Sequence, residues 1–70
     1  MKYVVLFEHS GEGWSAYVPD LPGCIAAGKT KAETEKSMQE AIEFHIEGMR
    51  LDGEPVPPPT TEVEFISVPA

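Results

Sequence analysis

Seventy residues carry 12 acidic and 5 basic side chains, a formal net charge of −7, and one cysteine. That length leaves room for a single domain, 1–70, and Cys24 alone excludes an intrachain disulfide. The acidic balance argues against direct DNA or RNA binding, because a phosphate backbone needs clustered Lys and Arg. A domain this small buries only roughly 60% of its unfolded surface, so its stability margin is thin. His9 and His45 have no Cys or His neighbour at metal-ligand spacing, so neither a metal nor a cofactor is expected to reinforce it. Self-association remains, and a homo-dimer is the expected form. The acids cluster late: Glu40, Glu43, Glu47, Asp52, Glu54, Glu62 and Glu64 face Arg50 as the one base in that stretch. The apolar run at Tyr3–Phe7 is too short to cross a membrane or to serve as a leader, and the expected location is the cytoplasm.

In chain order, residues 3–8 are β-branched and aromatic and predict a strand. Tyr3, Val5 and Phe7 share one face, Val4 and Leu6 the other, so both faces are apolar and the strand is expected to be central. His9–Gly13 reads as a hairpin loop, and Trp14–Val18 alternates as the return strand, with Trp14 and Tyr17 on opposite faces. Pro19, Asp20, Leu21, Pro22 and Gly23 form a tight turn into a short third strand, Cys24–Ala27. Thr30 and Glu33 form a capping box that opens a helix running to about Leu51 and stopping at Gly53. Thr34, Met38, Ala41, Ile42, His45, Ile46 and Met49 fall on one arc at about 100° per residue. Residues 54–59 hold four prolines and read as an extended connection, and 63–68 as a fourth strand. A right-handed crossover would lay that strand beside the first. The expected fold is α+β, β-β-β-α-β: a four-stranded mixed sheet of order 3-2-1-4 with one long helix on one face.

The most specific stretch is V-P-D-L-P-G-C at Val18–Cys24. With Gly13–Tyr17 before it, G-x-T-x-x-E at Gly28–Glu33 after it, Ala41-Ile42-Glu43, and the proline-spaced run Gly53–Pro59, it resembles the HicB-like antitoxin family over nearly the whole chain. The resemblance implies a partial RNase H-like fold, in keeping with the strand order above. It also implies a role: binding a HicA-type toxin, a small basic RNA-cleaving protein, and blocking it. Full-length members add a C-terminal DNA-binding segment, whereas this sequence stops after the fourth predicted strand, so it reads as a short form without direct DNA binding.

Three other readings compete. The RNase H likeness suggests a metal-dependent nuclease, which would need Glu8, Glu12 and Asp20 to converge with a helix carboxylate. Glu12 is expected at the opposite end of the first strand from Asp20, and the helix arc carries no acid. Cys24 with His45 suggests a thiol nucleophile, against the commoner outcome of a buried cysteine and a core-edge histidine. The chain is therefore not expected to be an enzyme. The third is a solitary, self-associating domain of unknown partner. Phe44, Gly48 and Leu51 lie on the helix flank between its apolar and charged arcs, as an apolar strip for a partner or for cover by residues 55–59. With Trp14, Tyr17 and Asp20 they make the candidate interface set.

Overall fold

The computed structural model describes residues 1–69. It contains β1 (Leu6–Ser10), β2 (Gly13–Tyr17), β3 (Ile25–Gly28) and one helix, α1 (Lys31–Leu51). The strands form one antiparallel sheet in the order β1-β2-β3. Ser10 pairs with Gly13, leaving the two-residue turn Gly11-Glu12. Gly11 has φ of 61°, the left-handed first position that a II′ hairpin requires.

The expected four-stranded, partial RNase H-like sheet of order 3-2-1-4 is not formed. Residues 62–69 make no sheet pairing, and Phe65 and Ile66 are 96% and 81% exposed. The chain is instead held just upstream. Asp20, in the turn between β2 and β3, accepts four hydrogen bonds. Its Oδ2 takes the amides of Thr60 (3.1 Å) and Thr61 (3.0 Å), and its Oδ1 takes their hydroxyls (3.0 and 2.9 Å). This clamp pins the returning chain at the β2–β3 turn, and from Glu62 on it runs on exposed instead of pairing with β1. β1 is accordingly an edge strand, not a central one. Its ladder starts at Leu6 because β2 ends at Tyr17, where the chain turns away.

That turn is the densest part of the core. Val18 donates to the Cys24 carbonyl (3.2 Å), Cys24 to Leu21 (3.0 Å) and Leu21 to Val18 (3.1 Å), closing the loop on itself. Leu21 thereby points inward and is fully buried, beside Ala16, Val18, Cys24 and Met38. Burial pushes the Cys24 thiol up, so it stays protonated at neutral pH.

The helix begins as its capping box predicts, with one change of partner. The Glu33 amide donates to Thr30 Oγ1 (3.1 Å), but the Glu33 carboxylate accepts from the Lys29 amide (3.2 Å) rather than from Thr30. Its end is a Schellman motif: Glu54 donates to Met49 (2.9 Å) and Gly53, at φ 71°, to Arg50 (3.1 Å). The helix packs on β2 and β3 through Thr34 and Met38, both buried. Close approach requires Gly28. A Cβ there would stand 2.7 Å from Thr34 Oγ1 and 3.1 Å from the Thr34 nitrogen. Gly28→Ala is therefore expected to cost about 1–3 kcal/mol by overpacking. Gly48→Ala, where a Cβ meets nothing within 4 Å, should instead be neutral or stabilising by about 0.5–1 kcal/mol. Urea midpoints of the two variants check this; equal midpoints would rule out the tight β3–helix contact.

Length explains the rest of the architecture. A helix of 21 residues is about 31 Å long, whereas a strand of 5 residues spans about 17 Å. The C-terminal half of α1 overhangs the sheet. It is met there by residues 3–5 of the N-terminal segment and by the proline-rich strap, residues 54–61. The Tyr3 hydroxyl donates to the Pro57 carbonyl (2.6 Å) and ties those two together.

Candidate partner-binding surfaces

The overhang leaves the helix flank bare. Phe44 and Leu51 are each 80% exposed, so the strap does not cover them; it runs past Tyr3 to Asp20 instead. The two side chains, two helical turns apart, form a ridge between two grooves. Phe44 and Gly48 border one groove with Pro22, Met49 and Pro57; Leu51 borders the other with Met1, Tyr3, Ile42 and Ile46. Glu40, Glu43, Glu47, Asp52 and Glu54 are all exposed along this half of the helix and its exit, so the apolar ridge lies in an acidic field.

Tyr17 lies on the other layer. It pairs with Leu6 on one side and Ile25 on the other, making an apolar row across the sheet face that α1 does not cover; Ile25 is 70% exposed. Ser15, Ala27 and Glu8 form the next row. Trp14 is on the opposite face, half-buried, with its ring against His9 at 3.9 Å between centroids and tilted by 37°. The six candidate interface residues therefore do not form one patch. Phe44, Gly48 and Leu51 share the ridge, Tyr17 faces the open sheet side, and Trp14 packs at the hairpin end.

Asp20 has a structural task. The Thr61 amide, above all, holds its carboxyl below the ordinary carboxylate value, opposed by partial desolvation and supported by the Thr61 and Thr60 hydroxyls and the Thr60 amide. All its acceptor capacity toward the strap is in use.

The nuclease reading finds no geometry. Glu8 is on the open sheet face, Glu12 is in the hairpin turn and Asp20 is in the turn at the other end of β2. Among the described residues, no three His, Cys, Asp or Glu side chains come together as a metal site would need. No helix of the described residues is long and apolar enough to cross a membrane.

Two exposed apolar features escaped the sequence reading. Ile25, in a third strand read as small residues over which something packs, lies on the uncovered sheet face beside half-buried Leu6. Phe65 and Ile66 looked like a paired strand. In both cases the alternation was visible, but the neighbour expected to cover it is absent from that face or edge.

Comparison with known proteins assigns this architecture. A family model described as the HicB_like antitoxin of bacterial toxin-antitoxin system matches residues 3–69, and the chain belongs to that family. An uncharacterized 14.9 kDa protein of Haemophilus phage HP1 is 41% identical over 69 residues, covering 99% of this chain and 52% of the phage protein. Antitoxin HicB 2 of Photorhabdus laumondii is 35% identical over 71 residues, covering 100% of this chain and 51% of its own. The chain thus spans about half the length of these two relatives. A UPF0150 protein of Thermoplasma acidophilum is 40% identical over 58 residues and is covered over 84% of its length. Among solved structures, a chain of a HicA3 and HicB3 toxin-antitoxin complex superposes with a TM-score of 0.74 at 38% identity, over 84% of this chain and 70% of that one.

Proposed function

We propose that this chain is a non-catalytic antitoxin module that binds a HicA-type RNA-cleaving toxin and blocks it by occlusion. The observation that carries this reading is the likeness, at 38% identity and a TM-score of 0.74, to a chain taken from a HicA3 and HicB3 toxin-antitoxin complex. The surface chosen for the toxin is the Phe44–Leu51 ridge. It combines an exposed apolar anchor with surrounding carboxylates, the arrangement that a basic partner would meet with complementary charge. Tyr17 and its row on the sheet face are the second contact candidate. The module works in the cytoplasm, where its RNA-cleaving target would act, and association of two copies supplements its small core. DNA contact is not part of this proposal, since net charge −7 opposes it.

The test is titration of the chain with the HicA-type protein encoded beside it. A complex is expected that weakens steeply between low and high salt, and Phe44→Ala should loosen it by roughly tenfold or more, about 1.4 kcal/mol. Absence of any complex would sink the antitoxin reading. A complex indifferent to Phe44→Ala and to Phe44→Asp would move the interface elsewhere. The nuclease alternative has no observation in its favour, because the carboxylates it requires are dispersed.

A further inference from the structure

Two strand-like features of the chain are left without a partner among the described residues. The first is the outer edge of β1, which among those residues pairs with β2 alone and so presents unpaired backbone donors and acceptors. A groove of ≈ 420 Å³ lies along it, with Val5, Phe7, Met38 and Ile42 as its apolar lining and Lys31 at 5.3 Å over the Phe7 ring. The second is the run 62–68. Val63, Phe65, Ile66 and Val68 are 56%, 96%, 81% and 72% exposed, a density of bare apolar side chains that a short segment rarely carries without a partner. Its composition is that of a strand, with Glu62 and Glu64 between apolar positions.

Within one copy the two are not paired. The Asp20 clamp fixes Thr60 and Thr61 at the β2–β3 turn, and residues 62–68 leave it without pairing to any strand of their own chain. A second copy presents the same free β1 edge. We propose that residues 62–68 of each copy add to the free β1 edge of the other, seating apolar side chains of the segment in the Val5–Phe7–Met38–Ile42 groove. Each chain keeps its own three strands; the added strand belongs to the neighbour. The edge of β3 is the poorer acceptor. It offers Ile25 and Ala27 on the face that the helix does not cover, so a strand added there would not pack against Met38 and Ile42 as one on β1 would. This inference rests on the two-copy association proposed above and gives it a mechanism, a reciprocal exchange with two-fold symmetry.

Sedimentation of the full chain decides first. A dimer is expected for the natural sequence, and a monomer over the same concentration range for Phe65→Asp. Because residues 63–68 are exposed in the protomer, that variant should keep an unchanged circular dichroism spectrum and urea midpoint. A mixture of ¹³C-labelled and unlabelled copies should then give NOEs from the Phe65 ring of one copy to the Val5 and Ile42 methyls of the other. A monomeric natural sequence, a dimer that survives Phe65→Asp, or Phe65 contacts confined to one copy would each overturn the exchange. So would a Phe65→Asp variant that still dimerises but no longer holds the toxin, which would assign the segment to the toxin instead. Toxin titration of the monomeric variant keeps the two questions separate: a complex there leaves the antitoxin reading standing whatever the fate of the exchange.

Discussion

Leu21→Ala is expected to lower the stability of the chain by about 2–5 kcal/mol, because it removes a fully buried leucine from the centre of the core. Total stability at roughly 0.05–0.15 kcal/mol per residue is on the order of 4–10 kcal/mol for a domain of this size. The substitution should therefore leave a substantial unfolded fraction at 37 °C. The effect is large for a reason specific to the turn. Leu21 is held by its own loop, through the Leu21 amide on Val18 and the Cys24 amide on Leu21, and the backbone cannot easily collapse into the space it vacates. Urea denaturation should show a lower midpoint with an unchanged slope. Ile25→Ala, at a side chain 70% exposed on the open sheet face, should change stability by less than about 0.5 kcal/mol. A Leu21→Ala loss no greater than that of Ile25→Ala would contradict the role of the turn as the core's plug.

The second large effect concerns the strap. Asp20→Ala removes the acceptor of all four bonds from Thr60 and Thr61, and residues 54–61 are expected to detach from the β2–β3 turn while the sheet and helix persist. Amide exchange at Thr60 and Thr61 should become as fast as in an unfolded chain, with that of Ala16 and Met38 little changed. Acid should mimic the substitution. The folded pKa of Asp20 is depressed, so the clamp's contribution is fully present above the ordinary carboxylate pKa and is lost as pH falls through the lowered folded value. Asp20→Asn separates charge from geometry. Its amide oxygen can still accept from the two backbone N–H groups and its NH₂ can donate to the hydroxyls, so a weaker clamp without the acid transition is expected. A pH series of ¹⁵N-resolved Thr61 amide shifts reads this directly. The same acid midpoint in Asp20→Asn would show that another group governs the strap.

The hairpin, the turn and the helix were legible because each is specified by residues close in sequence. Gly11 supplies the positive φ of its turn, Thr30 and Glu33 cap a helix whose buried arc begins at Thr34 and Met38, and Gly53 ends it. The bare flank at Phe44 and Leu51 was also visible, since 100° spacing alone sets those residues off the core arc. The fourth strand was misread because its placement is decided elsewhere. Alternation at 63–68 reports strand propensity, but whether a strand finds an edge depends on contacts distant in sequence, such as the hold of Asp20, some 40 residues earlier, on Thr60 and Thr61. The two-sided apolarity of the first strand misled for a related reason. Leu6 belongs to an uncovered face, and Val5 and Phe7 line a groove that the single chain leaves open. An apolar strand face has the same composition whether or not the rest of the chain covers it.

The clamp also bears on the order in which the chain folds. Asp20 and Thr60 enclose β3, the whole helix and most of the strap, and closing a loop of that size costs on the order of 3 kcal/mol of chain entropy, against very little for the two-residue hairpin. The hairpin and helix are therefore expected to form early and the clamp late, as the contact that completes the tertiary structure. A carboxylate and two threonines are thus expected to fix the root of residues 62–69 only after the sheet and helix against which they are held have formed.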